Sequence, residues 1–249
     1  MSGWVAVAGL GPGADALVTP EVTLALAEAT DLVGYAPYVA RVADRPGLVR
    51  HASDNRVELD RAAHALEMAA AGRRVVVASS GDPGVFAMAS ALFEALEAGP
   101  RAWREIDIRI LPGITAMLAA AARAGAPLGH DFCAINLSDN LKPWALIEQR
   151  LRLAAQADFA MAFYNPRSQA RPEGFARALD ILCEECGDER LILFARAVST
   201  PDEQLRVVTL GEASADMADM RTMVIVGSSR TRLIEGAARP ILYTPRWAE

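Results

Sequence analysis

Two kinds of hydrophobic pattern alternate along the chain. Short apolar runs that lack helical spacing, such as WVAVAG at Trp4–Gly9 and RRVVVASS at residues 73–80, indicate buried strands. Longer segments, such as residues 85–99, carry apolar residues every three or four positions and indicate helices, and this one ends at Gly99-Pro100. The alternation of strands and helices predicts an α/β fold whose first half contains a mostly parallel sheet.

The pattern restarts near the middle of the chain, where we place a domain boundary. Residues 1–113 are expected to form an N-terminal α/β domain, and residues 114–249 a C-terminal α/β domain that is richer in strands. Apolar and polar positions alternate in residues 203–210 (EQLRVVTL), which suggests an antiparallel strand and therefore a mixed second sheet. In the first half we expect a helix with Thr19 as its N-cap and a strand at residues 103–111.

The turn after the central apolar run, GDPG at Gly81–Gly84, is the stretch that most suggests ligand binding. In an open α/β sheet such a turn lies at the carboxyl end of its strand, where ligands bind. The glycines let the main chain approach a ligand closely, and Asp82 offers a carboxylate. A purely structural role, with Asp82 as the N-cap of the following helix, is the alternative interpretation.

Composition and charge narrow the classes of function. The chain has 249 residues and a net charge of -6, and it lacks a clustered run of basic residues, so we expect no nucleic-acid partner. Three cysteines without a disulfide framework suggest a reducing compartment. The sequence has no leader-like start and no apolar stretch long enough to span a bilayer, so we expect no membrane association and a cytoplasmic location.

The sequence does not predict a metal site. Cys183 and Cys186 have the spacing of half a metal site, but neither a second cysteine pair nor a histidine pair accompanies them. At helical spacing both thiols are expected on one partly buried face. His130, in a loop, is the histidine best placed for chemistry, although a lone loop histidine is more often structural.

Six sequence blocks occur in an order that resembles the tetrapyrrole methylase family, the S-adenosylmethionine-dependent enzymes of cobalamin and sirohaem synthesis. They are GLGPG near the start, VGYxxYV after the first helix, SSGDPGVF, LPGITA, the FYNPRS stretch and a terminal VIVGSSRT. Together the blocks cover nearly the whole chain. Within the family, VGYAPYV, INLSDNLKPW and FYNPRSQARP are most similar to the members that methylate precorrin-3B at C17 and contract the ring.

The resemblance implies two α/β domains that meet in a cleft, the first with a mostly parallel sheet and the second with a mixed sheet, in a homodimer. It also implies S-adenosylmethionine as cofactor, S-adenosylhomocysteine as product and a tetrapyrrole as the small-molecule substrate. Matching the family's motifs to this sequence gives the expected cofactor-binding residues, which are Pro12, Gly81, Asp82, Val85, Phe86, Thr115, Ala116, Phe163, Tyr164, Ala197, Thr222 and Met223.

Methyl transfer from a sulfonium to a carbon is an in-line displacement that depends mostly on positioning, whereas ring contraction also needs a group that moves a proton. From their loop positions, we expect this catalytic role for Tyr35, Asp139 and Lys142. The expected substrate-binding residues are Gly11, Asp15, Tyr38, Arg41, His130, Asn140, Asn165 and Arg167. Three arginines, at positions 41, 167 and 171, are candidates to hold substrate carboxylates through bidentate hydrogen bonds, with solvated surface arginine as the alternative.

Three hypotheses for function remain open from the sequence. The first is methylation of precorrin-3B at C17 with ring contraction, or the same reaction on the cobalt-containing counterpart. The second is another methylase of the same architecture that acts at a different position of a precorrin or uroporphyrinogen, or on a substrate such as RNA, which the acidic charge disfavours. The third is a protein that binds a cofactor or a tetrapyrrole without turnover.

Overall fold

The computed structural model describes residues 3–54, 57–168, 170–236 and 238–247. The chain divides into two compact units, Met1–Thr115 and Ala116–Glu249. The domain boundary that we expected from the sequence lies close to this division. Each unit contains its own central sheet, and we describe the two in turn.

Strands of the first unit form a five-stranded sheet within the described residues. Its strands are β1 (Trp4–Gly9), β2 (Asp31–Tyr35), β3 (Val49–Ser53), β4 (Arg74–Ser79) and β5 (Asp107–Leu111). They lie in the order β3-β2-β4-β1-β5, and every pairing is parallel. This arrangement confirms the parallel sheet predicted for the first half, and it brings the carboxyl ends of all five strands to one edge.

Helices cover both faces of this sheet because its central strands are apolar on both sides. They are α1 (Pro20–Glu28), α2 (Ala36–Val39), α3 (Glu58–Ala70) and α4 (Met88–Ala98). Val22 of α1 packs on the face that carries Ala6 and Ala8 of β1. Leu66 of α3 and Leu92 of α4 belong to the core on the opposite face. The predicted N-cap of α1 is confirmed, because the Thr19 side chain accepts a hydrogen bond from the Val22 amide.

The strand predicted for residues 103–111 is shorter than expected. Residues Arg101–Glu105 form a 3₁₀ helix instead, and β5 starts only at Asp107. The Trp103 ring occupies the space beside Gly99, where a Cβ atom would lie 2.3 Å from the indole. This local packing, together with the turn at Pro100, delays the start of the strand.

A buried carboxylate at the start of β2 joins three elements of the first unit. Asp31 is almost fully buried and accepts hydrogen bonds from Arg73 at 2.7 and 2.9 Å and from Thr30 at 2.6 Å. His51 Nε2 lies 2.9 Å from the same carboxylate. Burial opposes ionisation of Asp31, but the hydrogen bonds from Arg73, Thr30 and His51 outweigh it and lower its pKa to about 2.

We therefore predict that Asp31→Asn lowers the free energy of unfolding at pH 7 by about 2 kcal/mol. Since the pKa of Asp31 is lower in the folded state than in the unfolded state, this stabilisation is complete above the unfolded pKa and is lost as the pH falls towards 2. Urea denaturation between pH 7 and pH 2 measures the difference. The exposed Glu97→Gln on α4 is the control, and equal pH dependence of the wild type and Asp31→Asn would contradict the prediction.

The second unit is built on a mixed five-stranded sheet within the described residues. Its strands are β7 (Phe132–Asn136), β8 (Ala160–Tyr164), β9 (Leu191–Arg196), β10 (Gln204–Thr209) and β11 (Thr222–Val226), in the order β10-β9-β11-β8-β7. Only β7 and β8 pair in parallel, and the other pairings are antiparallel. The mixed sheet and the antiparallel strand at residues 203–210 were both predicted correctly.

The α-helices in the described part of the second unit are α5 (Ala116–Ala124), α6 (Trp144–Gln156) and α7 (Gly174–Cys186). Leu151 of α6 and Leu182 of α7 pack with Phe163 of β8 in one buried cluster. A small sheet of β6 (Gly125–Ala126), β12 (Arg232–Ile234) and β13 (Ile241–Tyr243) completes the unit, and its strands are too short to give a sequence pattern. None of the described helices combines the length and apolar character needed to cross a bilayer.

Candidate active site

Three glycine turns meet at the carboxyl ends of β1, β4 and β5 in the first unit. A Cβ atom on Gly113 would lie 2.1 Å from the carbonyl oxygen of Gly81, and one on Gly9 would lie 2.6 Å from the same oxygen. Gly9 and Gly113 are themselves in contact, since a Cβ on Gly9 would also approach the Gly113 Cα to 2.7 Å. No side chain fits at either position without a shift of the main chain, so glycine is required for the close approach of these turns.

A pair of main-chain hydrogen bonds joins two of the turns. The Gly11 amide donates to the Gly81 carbonyl at 3.2 Å, and the Gly81 amide donates to the Gly11 carbonyl at 3.0 Å. Both residues have positive φ, at 67° and 62°. Arg41 strengthens the first turn, because its terminal nitrogens donate to the carbonyls of Leu10, Gly11 and Gly13. The expected role of Arg41 in binding substrate carboxylates stays a prediction, and its guanidinium also supports this loop.

Asp82 links the turn after β4 to the turn after β5. Its Oδ1 atom accepts from the Gly84 amide at 2.8 Å, and its Oδ2 atom accepts from the Gly113 amide at 3.1 Å. The following helix, α4, begins only at Met88, with Ala87 as its N-cap residue. The alternative interpretation of Asp82 as the N-cap of this helix is therefore wrong, because four residues of extra turn separate it from the cap position.

We predict that Gly113→Ala destabilises the protein by about 2–3 kcal/mol, because the added methyl group overlaps main-chain atoms that cannot move independently. Gly47→Ala is the matched control, since Gly47 has a positive φ but no atom within 4 Å of the added methyl group. That control is expected to cost about 1 kcal/mol through backbone strain alone. Chemical denaturation of both variants measures the difference, and equal costs would contradict the proposed packing constraint.

The other cofactor-binding residues predicted in the first unit lie on or near these turns. Pro12 and Val85 are half-buried, and Thr115 is buried. Phe86 is half exposed and has a φ of 52°, a conformation that costs a non-glycine residue about 1 kcal/mol or more. Such strain is often found at ligand sites, which fits the expected role of this turn.

Two tyrosines stand at the carboxyl end of β2. The rings of Tyr35 and Tyr38 pack edge to face, with centroids 5.3 Å apart. Burial raises the pKa of Tyr38, although a hydrogen bond with Ser80 opposes the rise. Asp15, a predicted substrate-binding residue, is exposed in the loop after β1. The link between Tyr38 and Ser80 was not anticipated from the sequence.

In the second unit, five of the predicted cofactor-binding residues lie where strands of the mixed sheet end or begin. Phe163 and Tyr164 end β8, whereas Thr222 and Met223 begin the antiparallel β11 beside it. Ala197 follows β9, whose last residue pairs with Thr222. Because β11 runs antiparallel to β8 and β9, its first residues lie beside the last residues of those two strands. The Ala197 amide donates to the Arg221 carbonyl at 2.8 Å and holds Ala197 at a φ of 50°.

Two of these residues are also fixed by side-chain hydrogen bonds. The Thr222 hydroxyl donates to Asp219 Oδ1 at 2.8 Å and accepts from the Asp219 amide at 3.1 Å. The Tyr164 hydroxyl accepts from the Met117 amide at 3.4 Å, next to Ala116 at the start of α5. Asp219 was not anticipated as a partner because it lies in the loop before β11.

Most predicted substrate and catalytic residues of the second unit lie in the loops after β7 and β8. Asn165 has a φ of 52°, and its amide nitrogen donates to Asn136 Oδ1 at 3.1 Å. Lys142 donates to the Ser138 carbonyl at 3.1 Å. Burial lowers the pKa of Lys142, and nearby Arg150 lowers it further.

Asp139 and Lys142, two of the expected catalytic residues, do not form a direct ion pair with each other in the structure. Asp139 Oδ1 lies 3.8 Å from Arg171 Nε, whereas Lys142 hydrogen-bonds to the main chain. Asn140 is exposed in the same loop. All three residues lie in the loop between β7 and α6.

Arg167 and His130 are two further residues that we expected to bind substrate. Arg167 Nε is buried and has no hydrogen-bond partner among the described residues. His130 Nδ1 lies 3.9 Å from the exposed Asp131.

The two cysteines Cys183 and Cys186 lie one turn apart on α7, and burial raises the pKa of both thiols. Within the described ranges, no group of three or more histidine, cysteine, aspartate or glutamate side chains is arranged to hold a metal ion.

Comparison with known proteins shows which family the chain belongs to. The fold matches that of a solved methyltransferase, and residues 5–214 match the family model described as Tetrapyrrole (Corrin/Porphyrin) Methylases. The chain belongs to this family.

Three relatives are similar over nearly the full length of the chain. The Precorrin-3B C(17)-methyltransferase of Sinorhizobium sp is 53% identical over 99% of this chain and 98% of that protein. A solved structure of the methyltransferase CobJ is 71% identical, with a TM-score of 0.94, and the match covers 98% of this chain and 100% of that one. The Probable cobalt-factor III C(17)-methyltransferase of Salmonella typhimurium is 37% identical over 97% of this chain and 98% of that protein.

Proposed function

We propose that the chain catalyses S-adenosylmethionine-dependent methylation of precorrin-3B at C17, with ring contraction, in cobalamin biosynthesis. The observation that carries this proposal is the 53% identity, over almost the whole of both chains, to an enzyme of that name. The 71% identity to the methyltransferase CobJ supports the same activity. The proposal includes action in the cytoplasm as a homodimer, without nucleic acid.

A second candidate is the corresponding reaction on the cobalt-containing substrate. The 37% identity to a Salmonella protein named as a cobalt-factor III methyltransferase favours it. Its lower identity, compared with the 53% for the precorrin-3B enzyme, makes this the second choice.

The chemistry fits the residues of the site. When bound, S-adenosylmethionine supplies an electrophilic methyl group on a sulfonium, and the sulfur departs as the neutral thioether S-adenosylhomocysteine. The protein needs only to orient the donor and the acceptor carbon and to exclude water, because in-line displacement requires no covalent help. Main-chain groups held by the turns at Gly9, Gly81 and Gly113 are suited to this task.

We assign cofactor binding to the residues that resemble the family's motifs. In the first unit these are Pro12, Gly81, Asp82, Val85, Phe86 and Thr115, and in the second unit they are Ala116, Phe163, Tyr164, Ala197, Thr222 and Met223. Support comes from the backbone conformation, since Phe86 and Ala197 both have positive φ.

Ring contraction needs a proton to move at a defined position. We propose Tyr35, Asp139 and Lys142 for this role. Partial burial lowers the pKa of Lys142, which brings its ammonium closer to the range in which it can donate a proton. The hydroxyl of Tyr38, which is hydrogen-bonded to Ser80, is an additional group near Tyr35 through which a proton can pass.

Incubation with methyl-labelled S-adenosylmethionine and precorrin-3B tests the proposed function. The expected result is transfer of the label to C17 together with a contracted macrocycle, identified by mass spectrometry and NMR. Label transfer without contraction would indicate another methylase of the family. Tight binding without any transfer, under conditions where a known C17-methyltransferase is active, would contradict the proposal.

We also predict that Asp82→Ala weakens binding of S-adenosylmethionine about tenfold, because the amides of Gly84 and Gly113 lose their acceptor and the turns separate. Asp82→Asn keeps one acceptor oxygen and is expected to lose less affinity. Titration calorimetry measures both values, with the exposed Asp107→Ala on β5 as control. Wild-type affinity in Asp82→Ala would show that this carboxylate does not organise the cofactor site.

A further inference from the structure

A cavity of about 340 Å³ lies in the second unit, beside the loops that follow β7 and β8. Leu137 and Pro166, which are both buried, and Trp144 at the start of α6 form the apolar part of its lining. Arg171 and Arg177 line the same cavity. β7 and β8 are the parallel pair of this sheet, and cavities at the carboxyl ends of parallel strands are common ligand sites.

Neither arginine has a close carboxylate partner within the described part of the chain. Arg171 Nε lies 3.8 Å from Asp139 Oδ1, which is longer than a normal charged hydrogen bond. Asp139 is partly exposed, so a ligand with shorter, bidentate contacts would displace this loose pair. Glu173, the second acid in the lining, is exposed to solvent and forms no salt bridge with either arginine in the described structure.

Arg177 is held in place by an aromatic ring rather than by an acid. Its guanidinium carbon lies 4.6 Å from the centroid of the Trp144 ring, within the range of a cation–π interaction. Gly174, one turn before Arg177 on α7, lies beside the same indole, since a Cβ there would be in van der Waals contact with the ring at 3.4 Å. The stacked guanidinium keeps its hydrogen-bonding edge available for a ligand.

The combination of apolar walls and two guanidinium groups matches a short aliphatic chain that ends in a carboxylate. Methylene groups can pack on Leu137, Pro166 and the Trp144 ring, while the carboxylate oxygens accept hydrogen bonds from the arginines.

We propose that this cavity binds one carboxylate-bearing side arm of the tetrapyrrole substrate through Arg171 and Arg177, and so contributes to its recognition. The inference rests on the proposed function. It adds Arg177 and Trp144 to the residues that the sequence suggested, and it assigns them to binding rather than to the methyl transfer itself.

The first experiment tests the cavity without turnover. In ¹H–¹⁵N spectra the Trp144 indole resonance is identified from its absence in Trp144→Phe, and it is followed while sodium propionate is added at constant ionic strength. Propionate is expected to produce a saturable shift, whereas the neutral isostere propionamide binds at least tenfold more weakly. Equal shifts with both compounds would overturn the proposed carboxylate site.

Arginine variants test which residues cause the propionate-dependent shift of the Trp144 resonance. Arg171→Gln and Arg177→Gln, singly and together, are expected to abolish most of the propionate-dependent shift, while Arg206→Gln on the exposed face of β10 preserves it. The dispersion of the remaining indole resonances shows whether each variant is folded. Persistence of the shift in a folded double variant would contradict the assignment to these arginines.

The second experiment asks whether the substrate uses the cavity. Each arginine variant is expected to raise KM for precorrin-3B about tenfold, and for Arg177→Gln, which is not paired with Asp139, kcat and the affinity for S-adenosylmethionine stay unchanged. An unchanged KM, despite a positive propionate titration, would overturn the assignment to the macrocycle. If the wild-type protein methylates no tetrapyrrole, the proposed function fails, whereas the propionate titration still decides whether the carboxylate site exists.

Discussion

Close packing of glycine main chains at the carboxyl ends of β1, β4 and β5 is the constraint on which the first unit depends. The carbonyl oxygen of Gly81 occupies the space that a side chain on Gly9 or Gly113 would need. Asp82, in the turn after β4, accepts a hydrogen bond from the Gly113 amide in the turn after β5 and so connects the two turns. The three strands can therefore end together, and main-chain groups instead of bulky side chains face the edge at which parallel sheets bind ligands.

The same principle of a rigidly held main chain extends to the strained residues of the second unit. Ala197 and Asn165 both have positive φ, and each is kept there by a specific hydrogen bond, to the Arg221 carbonyl and the Asn136 side chain. Strain of this kind persists only where the surroundings hold it. A displacement reaction gains its rate from fixed geometry, so a preformed site of this kind suits methyl transfer.

Local patterns predicted the features that depend on neighbouring residues. The parallel sheet, the N-cap Thr19 and the antiparallel strand at 204–209 followed from periodicity and capping chemistry. The role of Asp82 could not be predicted in this way, because its partner Gly113 lies 31 residues away in the sequence. Strand β3 was missed as well, since it is a short edge strand whose residues are mostly partly exposed and include a histidine and an arginine. Family motifs, rather than periodicity, supplied most of the expected site residues, whereas a supporting contact such as that of Arg41 with the loop after β1 has no motif of its own.

The central claim is that the preformed turn at residues 81–86 receives the methyl donor. A crystal structure with S-adenosylhomocysteine tests it most directly. We expect the ligand to contact the main chain of residues 81–86 while the Gly11–Gly81 hydrogen bonds remain intact. A ligand bound away from this turn, or a turn that opens to admit it, would show that the turn is not a preformed cofactor site.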